Sequence, residues 1–148
     1  MKKQITLLSL LLVFTAVLFS CKKDDSSVKA RVTGRWSVTK IDVSGYTTAD
    51  TQSDPSKVNG TITGLSGDYM DFKADNDDQV ELSIKGNRTI GTYIGTYAKI
   101  GQDAVETINM SFAEGNFYCI VDVLTSNKLQ ITAKLDKTNV VKVFYLTR

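Results

Sequence analysis

The sequence predicts an all-β domain that closes as an eight-stranded antiparallel up-and-down barrel with a long first loop. Three observations carry this expectation. Eight short runs of strand-forming residues follow one another between Arg35 and Thr147, set apart by turn-forming residues. The last seven are joined by short connections, which make sequential runs antiparallel neighbours. Only one proline interrupts the 148 residues, and eight strands in a meander remove their two open edges by closing on themselves. An open β-sandwich is the alternative.

Before the domain comes a leader. Lys2 and Lys3 precede an almost wholly apolar run from Ile5 to Phe19, the pattern of a secretory signal. That run is shorter than the roughly 20 apolar residues a spanning helix needs. Residues 1–20 are therefore expected to be removed. Leu18-Phe19-Ser20-Cys21 resembles a bacterial lipobox, with leucine at −3, a small residue at −1 and cysteine at +1. The resemblance implies that Cys21 becomes the lipidated N-terminus, its sulfur carrying a diacylglyceryl group, with several acyl chains holding the protein on a membrane. Lys22 is not the aspartate that resembles an inner-membrane retention signal, so outer-membrane delivery is expected. Lys22-Lys23-Asp24-Asp25 resembles the tag of surface-exposed lipoproteins in some Gram-negative groups, although a solvated tether would read the same way. Residues 21–33 are expected to be the lipidated end and a flexible tether, from the charge and serine content of Asp24 to Arg31.

The domain itself is assigned to residues 34–148. In its first strand, Arg35 to Val43, Trp36 and Val38 share one phase and Ile41 and Val43 the other, so a bulge is expected near Thr39-Lys40. Ser44 to Gly67 is too long for a hairpin turn. Within it Asp54-Pro55 suggests a cap for a short helical turn, and Thr61-Ile62-Thr63 a brief pairing. The remaining strands are expected at Tyr69–Lys73, Gln79–Lys85, Thr89–Ile100, Val105–Phe112, Phe117–Leu124, Leu129–Leu135 and Val140–Thr147. Val80, Leu82 and Ile84 alternate with polar residues, as do Ile108, Met110 and Phe112. In Phe117–Val121 both phases are apolar, and the pattern does not choose the inward one. Gly91 and Gly95 in the repeat Gly-Thr-Tyr-Ile-Gly-Thr-Tyr are expected to permit coiling or close packing.

Composition narrows the chemistry. The chain carries 18 basic and 16 acidic residues, and removing Lys2 and Lys3 with the leader leaves 16 of each. No polycationic nucleic-acid footprint remains. Histidine is absent, which removes Ser-His and Cys-His nucleophiles and His-based zinc sites. An EF-hand count from Asp75 places Val80 where glycine is required and Gly86 where the bidentate glutamate should stand, so Asp75–Asp78 reads as a solvated turn. Cys119, on an apolar strand, reads as an inert buried thiol. No catalytic residue, metal site or cofactor is expected; the weakest of three function classes is a hydrolase or isomerase using Asp71 or Asp122.

Gly34-Arg35-Trp36 at the start of the first strand, the long loop after that strand, Gly95-Thr96-Tyr97, the segment from Tyr118 to Leu129, and Arg148 beyond the last strand together resemble small bacterial lipocalin-like lipoproteins. The resemblance implies that Arg148 covers Trp36 and closes the base of the barrel, while the long loop lids the mouth. It implies a non-enzymatic protein holding a small apolar or amphipathic ligand. A surface or envelope protein-interaction module without a small ligand is the other reading. Chain direction puts the Ser44–Gly67 loop at the end opposite Trp36, together with the turns near 86–87, 113–116 and 125–128. Met70, Tyr93, Tyr97, Met110 and Phe112 are the expected lining residues.

Overall fold

The structure is a computed structural model that describes residues 27–74, 78–100 and 103–148. The leader, Cys21, the segment up to Ser26, Asp75–Asp77 and Gly101-Gln102 lie outside the described residues. Nine strands and two short helices are present among them: α1 (Val28–Val32), β1 (Gly34–Ser44), α2 (Thr48–Ser53), β2 (Gly60–Thr63), β3 (Tyr69–Phe72), β4 (Gln79–Ile84), β5 (Asn87–Ile100), β6 (Asp103–Phe112), β7 (Gly115–Leu124), β8 (Lys128–Leu135) and β9 (Val141–Thr147). Every pairing is antiparallel. From β3 to β9 each strand lies beside its successor, and β1 joins β3 to β9, so eight strands close a barrel.

The ninth strand, β2, lies outside that circuit. β1 is long enough for β3 to pair with Gly34–Ser37 while β2 pairs with Lys40–Val43 along the same edge. The brief pairing expected at Thr61–Thr63 is this strand. The bulge expected near Thr39 is also present: β1 and β9 slip register between Val38 and Lys40, and the Thr39 hydroxyl donates to the Tyr145 carbonyl at 2.8 Å. This slip lets Trp36 and Val38, and then Ile41 and Val43, all face inward. On β7 the inward phase is Phe117, Cys119 and Val121, leaving Tyr118 and Ile120 outside. Burial pushes the Cys119 thiol up to about 12, the inert state expected of it.

Residues 27–33 are not a tether. The Ser27 hydroxyl accepts from Ala30 N, and α1 buries Val28 and Val32 completely against the base of the barrel. A five-residue helix has no stability of its own; packing of one apolar edge supplies it. Of the charges that suggest a linker, Lys29 pairs across to Asp78 at 2.5 Å and Arg31 to Glu106. Gly95 makes room for this helix, since a Cβ there would lie 3.1 Å from Lys29 N.

The base is tightly filled. Trp36, Met70, Phe72, Val80 and Ile108 are fully buried, and Phe72 meets Tyr93 edge-on at 5.1 Å. The Trp36 indole N–H donates to the Val32 carbonyl at 2.7 Å, and the Arg148 guanidinium lies 3.8 Å from the Trp36 ring while donating to the carbonyls of Val32 and Thr33. Gly34, with φ of 107°, passes beneath that guanidinium, and a Cβ there would lie 3.2 Å from Arg148 Nη2.

On the outer wall one carboxylate is enclosed by its neighbours. Glu81 accepts from Tyr69, from Arg88 at 2.6 Å and from Lys73 at 3.2 Å, and is 3 % exposed. The Tyr69 and Arg88 hydrogen bonds hold its pKa at about 2, below the ordinary 4.5. A lowered folded-state value stabilises the fold above pH 4.5 and loses that contribution as pH falls towards 2. Glu81→Gln is therefore expected to lower stability near neutrality and to flatten its fall through that acid range. Denaturant titrations of both proteins at pH 7 and pH 3 check this.

Candidate functional site

The two ends of the barrel differ in what covers them. The connections at 85–86, 113–114 and 136–140 share the mouth with the end of β1, while 73–78 and 125–127 lie at the base with Trp36. The turn at 125–128 is thus a correction to its expected place on the lid rim. Two strands separate 85–86 from 113–114 and two more separate 113–114 from 136–140, which keeps these three turns at one end, whereas 125–127 follows a single strand after 113–114 and so falls at the other. Its position is fixed by Arg148 N donating to the Asn127 carbonyl at 3.2 Å.

The long connection at 45–68 rises at the mouth. Its helix α2 starts at Thr47, whose hydroxyl accepts from Asp50 N while the Asp50 carboxylate accepts from Thr47 N. The helical turn therefore precedes Asp54-Pro55 rather than following it. Asp54 stands at the helix end and accepts from Ser56 N and Oγ. Asn59 pins the start of the loop by accepting from Tyr46 N at 3.0 Å and donating to Tyr46 O at 2.9 Å. The Tyr46 hydroxyl then donates to Glu114 in the β6–β7 turn, and Lys142 of β9 donates to the other Glu114 oxygen at 2.5 Å. One carboxylate so ties the loop, a turn and a strand across one side of the mouth. Burial and the Glu114 carboxylate push the Tyr46 phenol well up, which keeps its donating proton in place.

Behind this rim lies a cavity of about 550 Å³. Ile41 and Val43 of β1, Leu82 and Ile84 of β4, Met110 and Phe112 of β6, Phe117 of β7 and Phe144 of β9 form its walls, with Val58 and Ile62 from the lid side. Tyr46, Ser56, Lys85, Asn87, Thr89, Glu114 and Lys142 supply polar groups around the opening. Ile62, Leu82, Ile84 and Phe112 point inward yet stay only half-buried, unlike the closed-off side chains at the base. Apolar side chains aimed into the barrel and covered only in part describe a space that an apolar molecule can fill. Gly91 contributes by absence: a Cβ there would lie 2.7 Å from the Phe112 ring, so the glycine lets that ring lie against the wall.

Of the five residues expected to line a ligand site, Met110 and Phe112 stand on the walls of this cavity. Met70 and Tyr93 face inward but belong to the filled base, where the Tyr93 hydroxyl donates to Lys73 O at 3.0 Å. Tyr97 is 59 % exposed, because the β5–β6 hairpin runs past the base and carries its inward phase beyond the barrel. The lining residues not foreseen come from the mouth ends of β1, β4, β7 and β9 and from the lid. Phase together with distance from the lid rim would have selected Leu82 and Ile84; nothing in the sequence marks Tyr46 or Glu114. Asp71 and Asp122 do not converge: both lie on the outer wall, one 3.5 Å from Arg35 and the other accepting from Thr132 at 2.7 Å. Among the described residues no cluster of potential metal ligands occurs.

No family model, curated protein or solved structure matches this chain. A closed barrel of eight sequential antiparallel strands is nevertheless consistent with a lipocalin-like fold. Trp36 beneath Arg148 at one end and a loop-covered opening at the other give it a filled base and a mouth that leads into the cavity.

Proposed function

We propose that the protein is a membrane-anchored, non-enzymatic binding protein of lipocalin-like form, holding a small apolar or amphipathic ligand in the barrel mouth. The observation that carries this reading is the cavity of about 550 Å³, whose size suits a small ligand and whose walls are mainly apolar, with Ile62, Leu82, Ile84 and Phe112 only half-buried. Its polar rim suits a ligand with one hydrated end. Mass spectrometry of the lipids and small molecules that co-purify with native protein extracted from membranes tests it. Recovery of one apolar or amphipathic class in near-stoichiometric amount is the expected result, and recovery of none, with no binding of an apolar fluorophore, would sink it.

The anchor rests on Cys21 and its lipobox-like surroundings, and Lys22 supports delivery to the outer membrane, with display on the cell surface as one arrangement there. Cys21→Ala is expected to abolish metabolic labelling by fatty acid and to release the protein from the membrane fraction. Unchanged labelling would end the lipoprotein reading.

A second reading, an envelope or surface interaction module, is favoured by one feature of the outer wall. Ile94 and Tyr118 flank Asn109 across β5, β6 and β7, and are 62 % and 57 % exposed. Paired Ile94→Ser and Tyr118→Ser substitutions that abolish association with an envelope partner but leave fluorophore binding intact would support it.

A further inference from the structure

We propose that the base of the barrel rests on the bilayer that holds the lipid anchor, with Tyr97 at the headgroups and the cavity opening away from that membrane. The proposal rests on the lipoprotein reading of Cys21. Its own support is the place of α1 in the fold. α1 lies across the base, held there by buried Val28 and Val32, by the Lys29–Asp78 and Arg31–Glu106 pairs and by its approach to Gly95. Ser27, at the start of α1, is therefore fixed at the same end as Trp36.

Cys21 and Ser27 are six positions apart. At about 3.3–3.6 Å per residue, even a fully extended chain spans no more than about 20–22 Å. The barrel wall is taller than that reach. β7 runs from mouth to base in 10 residues. At ~3.3 Å per residue and a tilt of ~40°, such a strand gives a height of roughly 25 Å. A mouth-down arrangement would require the connection to pass along the whole wall and still reach the lipid. Folding residues 27–33 onto the base is what makes the connection too short for it.

Between an upright barrel and one lying on its side, Tyr97 favours the upright. It is among the large apolar side chains left exposed, and it sits on the β5–β6 hairpin two residues beyond Gly95 in the direction of the base, opposite Glu106. A tyrosine ring with a polar tip suits the headgroup region of a bilayer. The consequence for the proposed cargo is directional: it is exchanged with the aqueous side or with a partner facing the mouth, and is not drawn from the lipid directly beneath.

The sequence makes a clean test possible. The Cys21 sulfur is occupied by lipid in the mature protein, and Cys119 is buried with its thiol held protonated, so an introduced surface cysteine is the reactive one. Ser126→Cys places a label at the base and Asn139→Cys places one at the mouth, both at exposed turn positions. Each mature, acylated protein is labelled with bimane and reconstituted into phosphatidylethanolamine–phosphatidylglycerol vesicles containing a headgroup spin-labelled lipid. Quenching several-fold stronger at 126 than at 139 is expected. Equal quenching, or stronger quenching at 139, in acylated and vesicle-bound protein overturns the orientation and leaves the lipoprotein reading standing. Absence of acyl mass on the N-terminus removes both.

Discussion

Trp36→Ala is expected to cost about 3–5 kcal/mol of folding stability, the range for deleting a large aromatic side chain from a packed core. In a domain of this size that corresponds to a fall in Tm of roughly 10–20 °C. The loss has three parts. The indole is fully buried among Met70, Phe72 and α1, so its removal leaves a cavity where the packing is tightest. Its N–H no longer satisfies the Val32 carbonyl, the bond that closes α1 against β1. The Arg148 guanidinium, 3.8 Å from the ring, loses the face it lies on. Because the cavity is at the other end, affinity for an apolar fluorophore measured below the new Tm should be unchanged. Unaltered thermal stability with lost binding would mean that Trp36 serves the ligand and not the base.

The reverse pattern is expected of Leu82→Glu. Leu82 points into the mouth cavity and is only half-buried, so the fold does not depend on it as it depends on Trp36. A carboxylate there faces apolar walls once a ligand expels the water, and desolvating an unpaired charge is costly. We expect affinity for an apolar fluorophore to fall by at least about 10-fold, which corresponds to about 1.4 kcal/mol. Thermal stability should change by only a few degrees. Fluorescence titration and a melting curve on the same sample give both numbers. Wild-type affinity in a folded Leu82→Glu protein would place binding elsewhere.

Much of the fold was legible because local signals and global closure agree here. The turn residues bounding β4 to β9, the alternation in β4 and β6, and the phase slip at Thr39 each have a single economical reading, and the barrel satisfies them together. α1 was not legible, since Val28 and Val32 are two apolar residues in a charged stretch and become helical only against a base the local sequence does not show. The lining of the cavity was legible only in part for a related reason. Alternation reports whether a side chain faces inward, which is why Met110 and Phe112 were found. It does not report height in the barrel, which is why Met70 and Tyr93 proved to be base and Tyr97 proved to lie beyond it. The rim contacts of Tyr46, Glu114 and Lys142 join residues distant in sequence, and no local pattern encodes them.

Closing β1 against β9 has a consequence for how the molecule comes to exist. Arg148 reaches a carbonyl 116 positions earlier in the chain, and the β1–β9 ladder joins segments almost as remote. Loops of that length are slow to close, so the meander from β3 to β9 can accumulate before the ring is complete. During that interval β1 and β9 each present an unpaired edge, the kind of surface on which chains add to one another. Escape from aggregation is then expected to depend on one late event, the docking of the first strand on the last, more than on the stability of the barrel once formed.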